Sequence, residues 1–144
     1  MTKKHPFIEI HTDGGSRGNP GPAGIGVFAT TDDKELFTLS ETIGETTNNV
    51  AEYTAVIRAL ENLKEKKIVS EKLRFVLDSE LIVRQITGIY KVKQPHLLEL
   101  RLEIVSLINW LRENNIIDKL SFMTVPREKN QDADRLVNEA LDSR

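Results

Sequence analysis

Four carboxylates sit where the sequence changes character. Asp13 ends the alternating, β-branched run from Phe7 to Thr12 and opens a glycine-rich segment. Asp78 closes the apolar run Leu73-Arg74-Phe75-Val76-Leu77. A charge at the carboxyl end of a buried strand must face a crevice or be paired, and such strand ends are where α/β sheets carry their sites. Glu52 is expected in the first turn of a long helix, in one row with Val56, Ala59 and Leu63, so it points toward the sheet rather than into water. Asp134 follows Ala133 and flanks the inward stripe of a last helix. Singly, each has an ordinary explanation. The helix macrodipole favours a carboxylate in a first turn, and Asp is a common residue after a strand. Jointly, several carboxylates without His or Cys suit hard divalent cations such as magnesium or manganese. Two such ions ~3.5–4 Å apart can clamp both the attacking and the leaving oxygen of a phosphodiester. Without metal, four converging carboxylates would repel one another.

The elements that must position these acids follow from periodicity. Phe7 to Thr12 reads as a strand, and Asp13 to Gly26, with six of the eight glycines, reads as a turn-rich loop. Ile25 to Ala29 and Leu36 to Thr42 read as strands joined by an Asp32-Asp33-Lys34 turn. From Thr46 to Lys67 the period changes: Val50, Tyr53, Ile57, Leu60 and Lys64 define one row of a long amphipathic helix, widened by Ala55, Val56, Ala59 and Leu63. Leu73 to Leu77 reads as a buried strand, and Ser79 as the N-cap of a short helix over Leu81 to Ile86. Gly88 and Pro95 bracket a loop. Leu97 to Leu111 is a further amphipathic helix, Leu120 to Val125 the last strand, and Asn130 the cap of a final helix with Ala133, Leu136, Val137, Ala140 and Leu141 inward. Strands first, then alternating helices and strands, predict an α/β domain with a mixed sheet.

The 144 residues suit one domain over 1–144, and 39% apolar with 29% charged residues is ordinary for a globular chain. The absence of cysteine excludes disulfides, thiolate metal sites and cysteine nucleophiles, and is compatible with a reducing compartment. Met1 to Pro6 is charged and has no apolar core, so no secretory signal is expected. No apolar run approaches the ~20 residues of a membrane span, and the cytoplasm is the expected location. A net charge of −2 argues weakly against a nucleic-acid partner. That objection fades if four acids are neutralised as metal ligands, which would turn −2 into +2.

Four blocks then carry a resemblance. Asp13-Gly14-Gly15-Ser16-Arg17-Gly18-Asn19-Pro20-Gly21-Pro22-Ala23-Gly24, Thr46-Thr47-Asn48-Asn49-Val50-Ala51-Glu52-Tyr53, Asp78-Ser79-Glu80-Leu81 and Asn130-Gln131-Asp132-Ala133-Asp134-Arg135-Leu136 resemble, in order and spacing, the motifs of the type 1 ribonuclease H family. The resemblance implies a ribonuclease H-like fold, a five-stranded mixed sheet flanked by helices. It implies that Asp13, Glu52, Asp78 and Asp134 hold two Mg²⁺ ions, or Mn²⁺, and that the substrate is the RNA strand of an RNA/DNA hybrid. Water would attack the scissile phosphate in line, leaving 5′-phosphate and 3′-hydroxyl ends. It further implies that the backbone at Gly14, Gly15 and Ser16, with Asn48 and Glu52, meets RNA 2′-hydroxyls, the group that tells RNA from DNA. Asn19, Thr47 and Asn49 would touch nucleic acid near the cut, Thr47 on a DNA phosphate. Glycines fit here because backbone without Cβ can approach a sugar closely.

The chain also departs from the family. Many relatives carry a histidine in the loop before the last acid; here that loop reads Val125-Pro126-Arg127-Glu128-Lys129, and Arg127 is the candidate to replace it by neutralising charge. His5, His11 and His96 lie elsewhere, and His11 is best read as structural. A basic protrusion found in some relatives is absent, and the short Gly88–Pro95 segment offers Tyr90 for stacking and Lys91 and Lys93 for phosphates in its place. The competing reading is an ordinary solvated loop. No hybrid-binding module before the domain and no tail after Arg144 are expected, and with them modest affinity, no obligate protein partner and a monomer as the default. The rivals are another nuclease on this fold, a non-catalytic hybrid-binding domain and a small-molecule phosphatase. The Thr47-Asn48-Asn49 block argues against the first, the four acids against the second, and the lack of a lid against the third.

Overall fold

The computed structural model describes residues 3–144; Met1 and Thr2, the start of the charged N-terminal segment, lie outside the described residues. Among these, five strands and four α-helices follow in the order β1 (Lys4–Ser16), β2 (Gly21–Thr31), β3 (Lys34–Thr46), α1 (Asn48–Glu65), β4 (Val69–Leu77), α2 (Glu80–Ile86), α3 (Pro95–Glu113), β5 (Ile117–Thr124) and α4 (Gln131–Asp142). The sheet order is β3-β2-β1-β4-β5. β1–β2 and β2–β3 are antiparallel, whereas β1–β4 and β4–β5 are parallel, which gives the expected mixed sheet. No described helix is long and apolar enough to cross a membrane.

Local chemistry accounts for the elements. Thr47 caps α1, its hydroxyl accepting from the Val50 N–H at 3.3 Å, so the helix starts two residues later than periodicity indicated. Lys67 then takes a left-handed conformation, φ 51°, just past the helix end. Asp32 and Asp33 both have positive φ, the two-residue turn whose twist matches a β-hairpin, and Lys34 already belongs to β3. Tyr53, Val56, Leu60 and Leu63 of α1 are fully buried with Ile8, Ile10, Ile25 and Val27 of the sheet. Phe75 and Phe122, paired across β4 and β5, stack with ring centroids 5.1 Å apart.

The glycine-rich segment differs from expectation. It is not a loop from Asp13 to Gly26: β1 and β2 stay paired through Asp13–Gly26, Gly14–Ile25, Gly15–Gly24 and Ser16–Ala23, and the turn is confined to residues 17–20. The glycines serve packing. A Cβ on Gly14 would stand 2.3 Å from the Ala51 carbonyl carbon of α1, and one on Gly26 would stand 2.1 Å from the Ala133 carbonyl oxygen of α4. A Cβ on Gly15, next to Gly14, would meet Asn48 Oδ1 of α1 at 3.8 Å and Val137 of α4 at 3.9 Å, both ordinary contacts. The two helices therefore clasp opposite faces of the same glycine-bearing strands.

Candidate active site

The parallel ladder between β1 and β4 ends at His11–Val76. Asp13 and Asp78 each lie two residues beyond that pair, where β1 continues with β2 and β4 stops. The sheet parts there, and α1, seated on Gly14 through Ala51, brings Glu52 to the opening from just beyond its first turn, which holds no acid, rather than from within that turn as expected. One carboxylate oxygen from each of Asp13, Glu52 and Asp78 lies within 4.8 Å of the others. Asp134, in the first turn of α4, stands outside this trio but lines, with Asp13 and Glu52, the cleft that adjoins the Asp78 crevice. The cleft, about 400 Å³, is also lined by Gly14, Gly15, Ser16, Asn48, Asn49, Ser79 and Arg127.

Burial and mutual repulsion define its electrostatics. Asp13 is buried, and its carboxyl is pushed up to about 7 by burial and then by Asp78 and Asp134, against the pull of the Gly14 N–H and Arg127. Glu52 is pushed up to about 8 by burial, then by Asp13 and Asp78, again with Arg127 opposing. Arg127 opposes both shifts through its charge. The Thr12 hydroxyl, buried and without a hydrogen-bond partner among the described residues, lines the crevice between Asp13, Glu52 and Asp78. All-oxygen donors that converge in a partly buried cleft fit a hard divalent cation.

Asn130 ties the acids together in a way the sequence reading missed. It was expected to cap α4 with its side chain; it stands at the cap position, but its side chain makes no capping bond. Instead its amide, 1% exposed, donates to the Thr12 carbonyl at 3.0 Å and reaches Asp78 Oδ2 at 3.5 Å. Since the amide nitrogen is committed to those acceptors, its oxygen faces His11 Nδ1 at 3.0 Å, which therefore carries a proton. His11 Nε2 lies 3.0 Å from Glu9, and Glu9 pairs with Arg74 at 3.3 Å. The Asn130 carbonyl accepts from the Asp134 N–H at 3.2 Å. One buried side chain and its backbone thereby reach Asp78, Asp134 and the neighbour of Asp13. His11 is structural, as expected.

The other expected contacts separate into two groups. Asn48 Oδ1 accepts from Ser16 N at 2.8 Å and from the Ser16 hydroxyl at 3.2 Å, and Asn19 Oδ1 accepts from Asn48 N at 3.0 Å. These bonds lock the hairpin tip to α1 and leave the Asn48 amide nitrogen available. Asn49 lines the cleft; Thr47 does not, being occupied as the α1 cap. Tyr90 and Lys91 line a different cleft with Ile89, Leu98 and Arg101, and Lys93 lines neither. That segment is not merely solvated. Val92 is buried in the core and the Tyr90 N–H donates to the Arg84 carbonyl at 2.9 Å. Arg17, Val137, Asn138 and Leu141 also line the acid cleft and were not anticipated. The signal was present: 134, 137, 138 and 141 share one helical face.

A mixed sheet that parts around clustered carboxylates fits the class of cation-dependent phosphoryl-transfer proteins. Comparison with known proteins narrows that class: the chain belongs to the ribonuclease H family, whose model, RNase H, matches residues 5–142. It is 53% identical to LC11-RNase H1, isolated from compost, with 95% of this chain and 96% of that one covered and a TM-score of 0.84. That protein has also been solved in complex with an RNA/DNA hybrid, at 51% identity and a TM-score of 0.85. A ribonuclease HI of Halobacterium salinarum is 39% identical over 136 residues, 94% of this chain and 64% of that protein. A bifunctional protein of Mycobacterium tuberculosis is 40% identical over 138 residues, so the chain spans 36% of that relative's length.

Proposed function

We propose that the chain is an endoribonuclease that hydrolyses the RNA strand of RNA/DNA hybrids and leaves 5′-phosphate and 3′-hydroxyl ends. The observation that carries this reading is the convergence of Asp13, Glu52 and Asp78 within 4.8 Å in a cleft whose adjoining wall is the Gly14–Ser16 backbone and Asn48. Two divalent cations, Mg²⁺ with Mn²⁺ as a substitute, would supply Lewis acidity and a nucleophilic water at neutral pH. Asp13, Glu52 and Asp78 would hold the first, and Asp134, on the cleft wall, would share in the second. The chain's own part is to fix those oxygens before substrate arrives. Arg127 offsets their repulsion, and the Ser16–Asn48 bonds hold the backbone that would meet 2′-hydroxyls. A monomer remains the default, and the cysteine-free composition is compatible with work in the cytoplasm.

The test is cleavage of labelled RNA paired to DNA, with Mg²⁺ or Mn²⁺, beside single-stranded RNA, duplex RNA and duplex DNA. Cutting of the hybrid's RNA strand alone, lost with EDTA and with Asp78→Asn, is the expected result. Cutting of duplex DNA would overturn the substrate. Binding of hybrid without cleavage under either metal would overturn the activity.

A further inference from the structure

Of the residues lining the acid cleft, two are cationic, and they do different work. Arg127 faces Asp13 and Glu52. Arg17 instead pairs with Asp142, its Nη2 donating to Oδ1 at 2.6 Å. This pair is open to solvent, 42% exposed on Arg17 and 68% on Asp142, and only one nitrogen of the guanidinium is engaged. Asp142 is the last residue of α4, the end of a helix where the macrodipole disfavours an anion. The carboxylate is thus a weak holder of a side chain that can still offer a two-pronged face to a phosphate.

The backbone beneath Arg17 is rigid. Its N–H donates to the Pro22 carbonyl at 2.8 Å, and Ser16 before it is locked to Asn48. Only the side chain is free to choose a partner. Across from it, Asp134, Val137, Asn138 and Leu141 form the cleft's α4 wall, with the Asn138 amide donating to the Asp134 carbonyl at 3.1 Å. Seven residues of helix extend about 10 Å, well beyond the ~3.4 Å axial spacing of phosphates along one strand. The cleft therefore reaches past the acids, and Arg17 stands along that extension.

We propose that Arg17 is a second phosphate-binding group for the RNA strand, flanking the scissile position, and that Asp142 holds it until the hybrid displaces the carboxylate. This rests on the hybrid-cleaving reading above. It assigns Arg17 to substrate grip and makes Asp142 a competitor for the same guanidinium.

The test is a double-mutant cycle with Arg17→Ala, Asp142→Asn and the double variant, read as KM and kcat on the hybrid across a salt series, with thermal melts. Arg17→Ala should raise KM about tenfold with kcat retained and make the salt dependence shallower by about one unit. Asp142→Asn should lower KM, and that gain should vanish without Arg17. Arg17→Lys should recover part of the loss. A hybrid with one flanking RNA phosphate made a neutral methylphosphonate should weaken the wild type and leave Arg17→Ala unmoved. Additive effects in the cycle, or a fall in kcat and melting temperature with KM unchanged, would make the pair a structural tie and overturn the proposal. A wild type that does not cut hybrid overturns the function itself, whereas one that cuts but ignores Arg17 overturns this inference alone.

Discussion

The two clefts are built on opposite plans. Around the acids, polar side chains are cross-linked by bonds between residues far apart in the chain: Asn130 with Thr12, Asn130 with His11, Ser16 with Asn48. Around Tyr90, the segment is anchored by the buried Val92, by backbone bonds from Gly88 and Tyr90 to Gln85 and Arg84 close by in the chain, and by Arg84 over the Tyr90 ring, while Tyr90 is 45% exposed and Ile89 64%. Phosphoryl chemistry needs oxygens held to fractions of an ångström before substrate arrives. Grip on a backbone needs charge and contact within reach and tolerates side chains that settle on arrival. The difference teaches that preorganisation is concentrated where displacement is costly.

The strongest way to break the comparison is at Asn130. Asn130→Ala should lower activity and divalent-metal affinity by about 10–100-fold, the usual effect of losing a group that orients metal ligands. Metal titration alongside turnover reads this out. A variant with wild-type metal affinity would show that the acids are held without it. Next is Arg127→Ala, which should reduce turnover clearly below wild type by leaving the repulsion between Asp13 and Glu52 unopposed; unchanged turnover would reject the role.

The third prediction concerns pH. Asp13 and Glu52 titrate in the fold near 7 and 8, above their ordinary values of 3.8 and 4.5. Between those limits the metal-free fold binds more protons than the unfolded chain, so its stability falls as pH rises through that window. A divalent cation held by these acids would remove the penalty, so the effect of Mg²⁺ on melting temperature should be small near about pH 5 and larger near about pH 8. Equal effects at both would contradict the burial of the two acids. The smallest effect belongs to the segment between Gly88 and Pro95, of which Lys91 but not Lys93 lines the second cleft. Replacing Lys91 and Lys93 together by Ala should flatten the salt dependence of hybrid binding by about two units with little change in kcat. An unaltered slope would mean that this segment is passive.

Much of this was legible in the sequence, for reasons specific to each residue. Asp13 and Asp78 announced themselves because a charge after a buried strand has few places to go. The helices around Glu52 and Asp134 were visible as periodicity. What periodicity cannot carry is which element crosses which. The glycines suggested a loop because flexibility is their commonest use, whereas Gly14 and Gly26 are needed where a helix presses on a strand. Asn130 looked like a cap because caps are local, and its actual partners, Thr12 and His11, lie more than a hundred residues away in the chain.

Gly14 carries one more consequence. The Ala51 carbonyl already occupies the place where its side chain would begin, so even a methyl group there would lift the start of α1 off the strand. Glu52, the next residue, would be carried away from Asp13 with it. The residue offers no proton, charge or ligand atom to the reaction. It acts as a gauge block between two machined parts, setting by its absence of bulk the tolerance within which the carboxylates must meet.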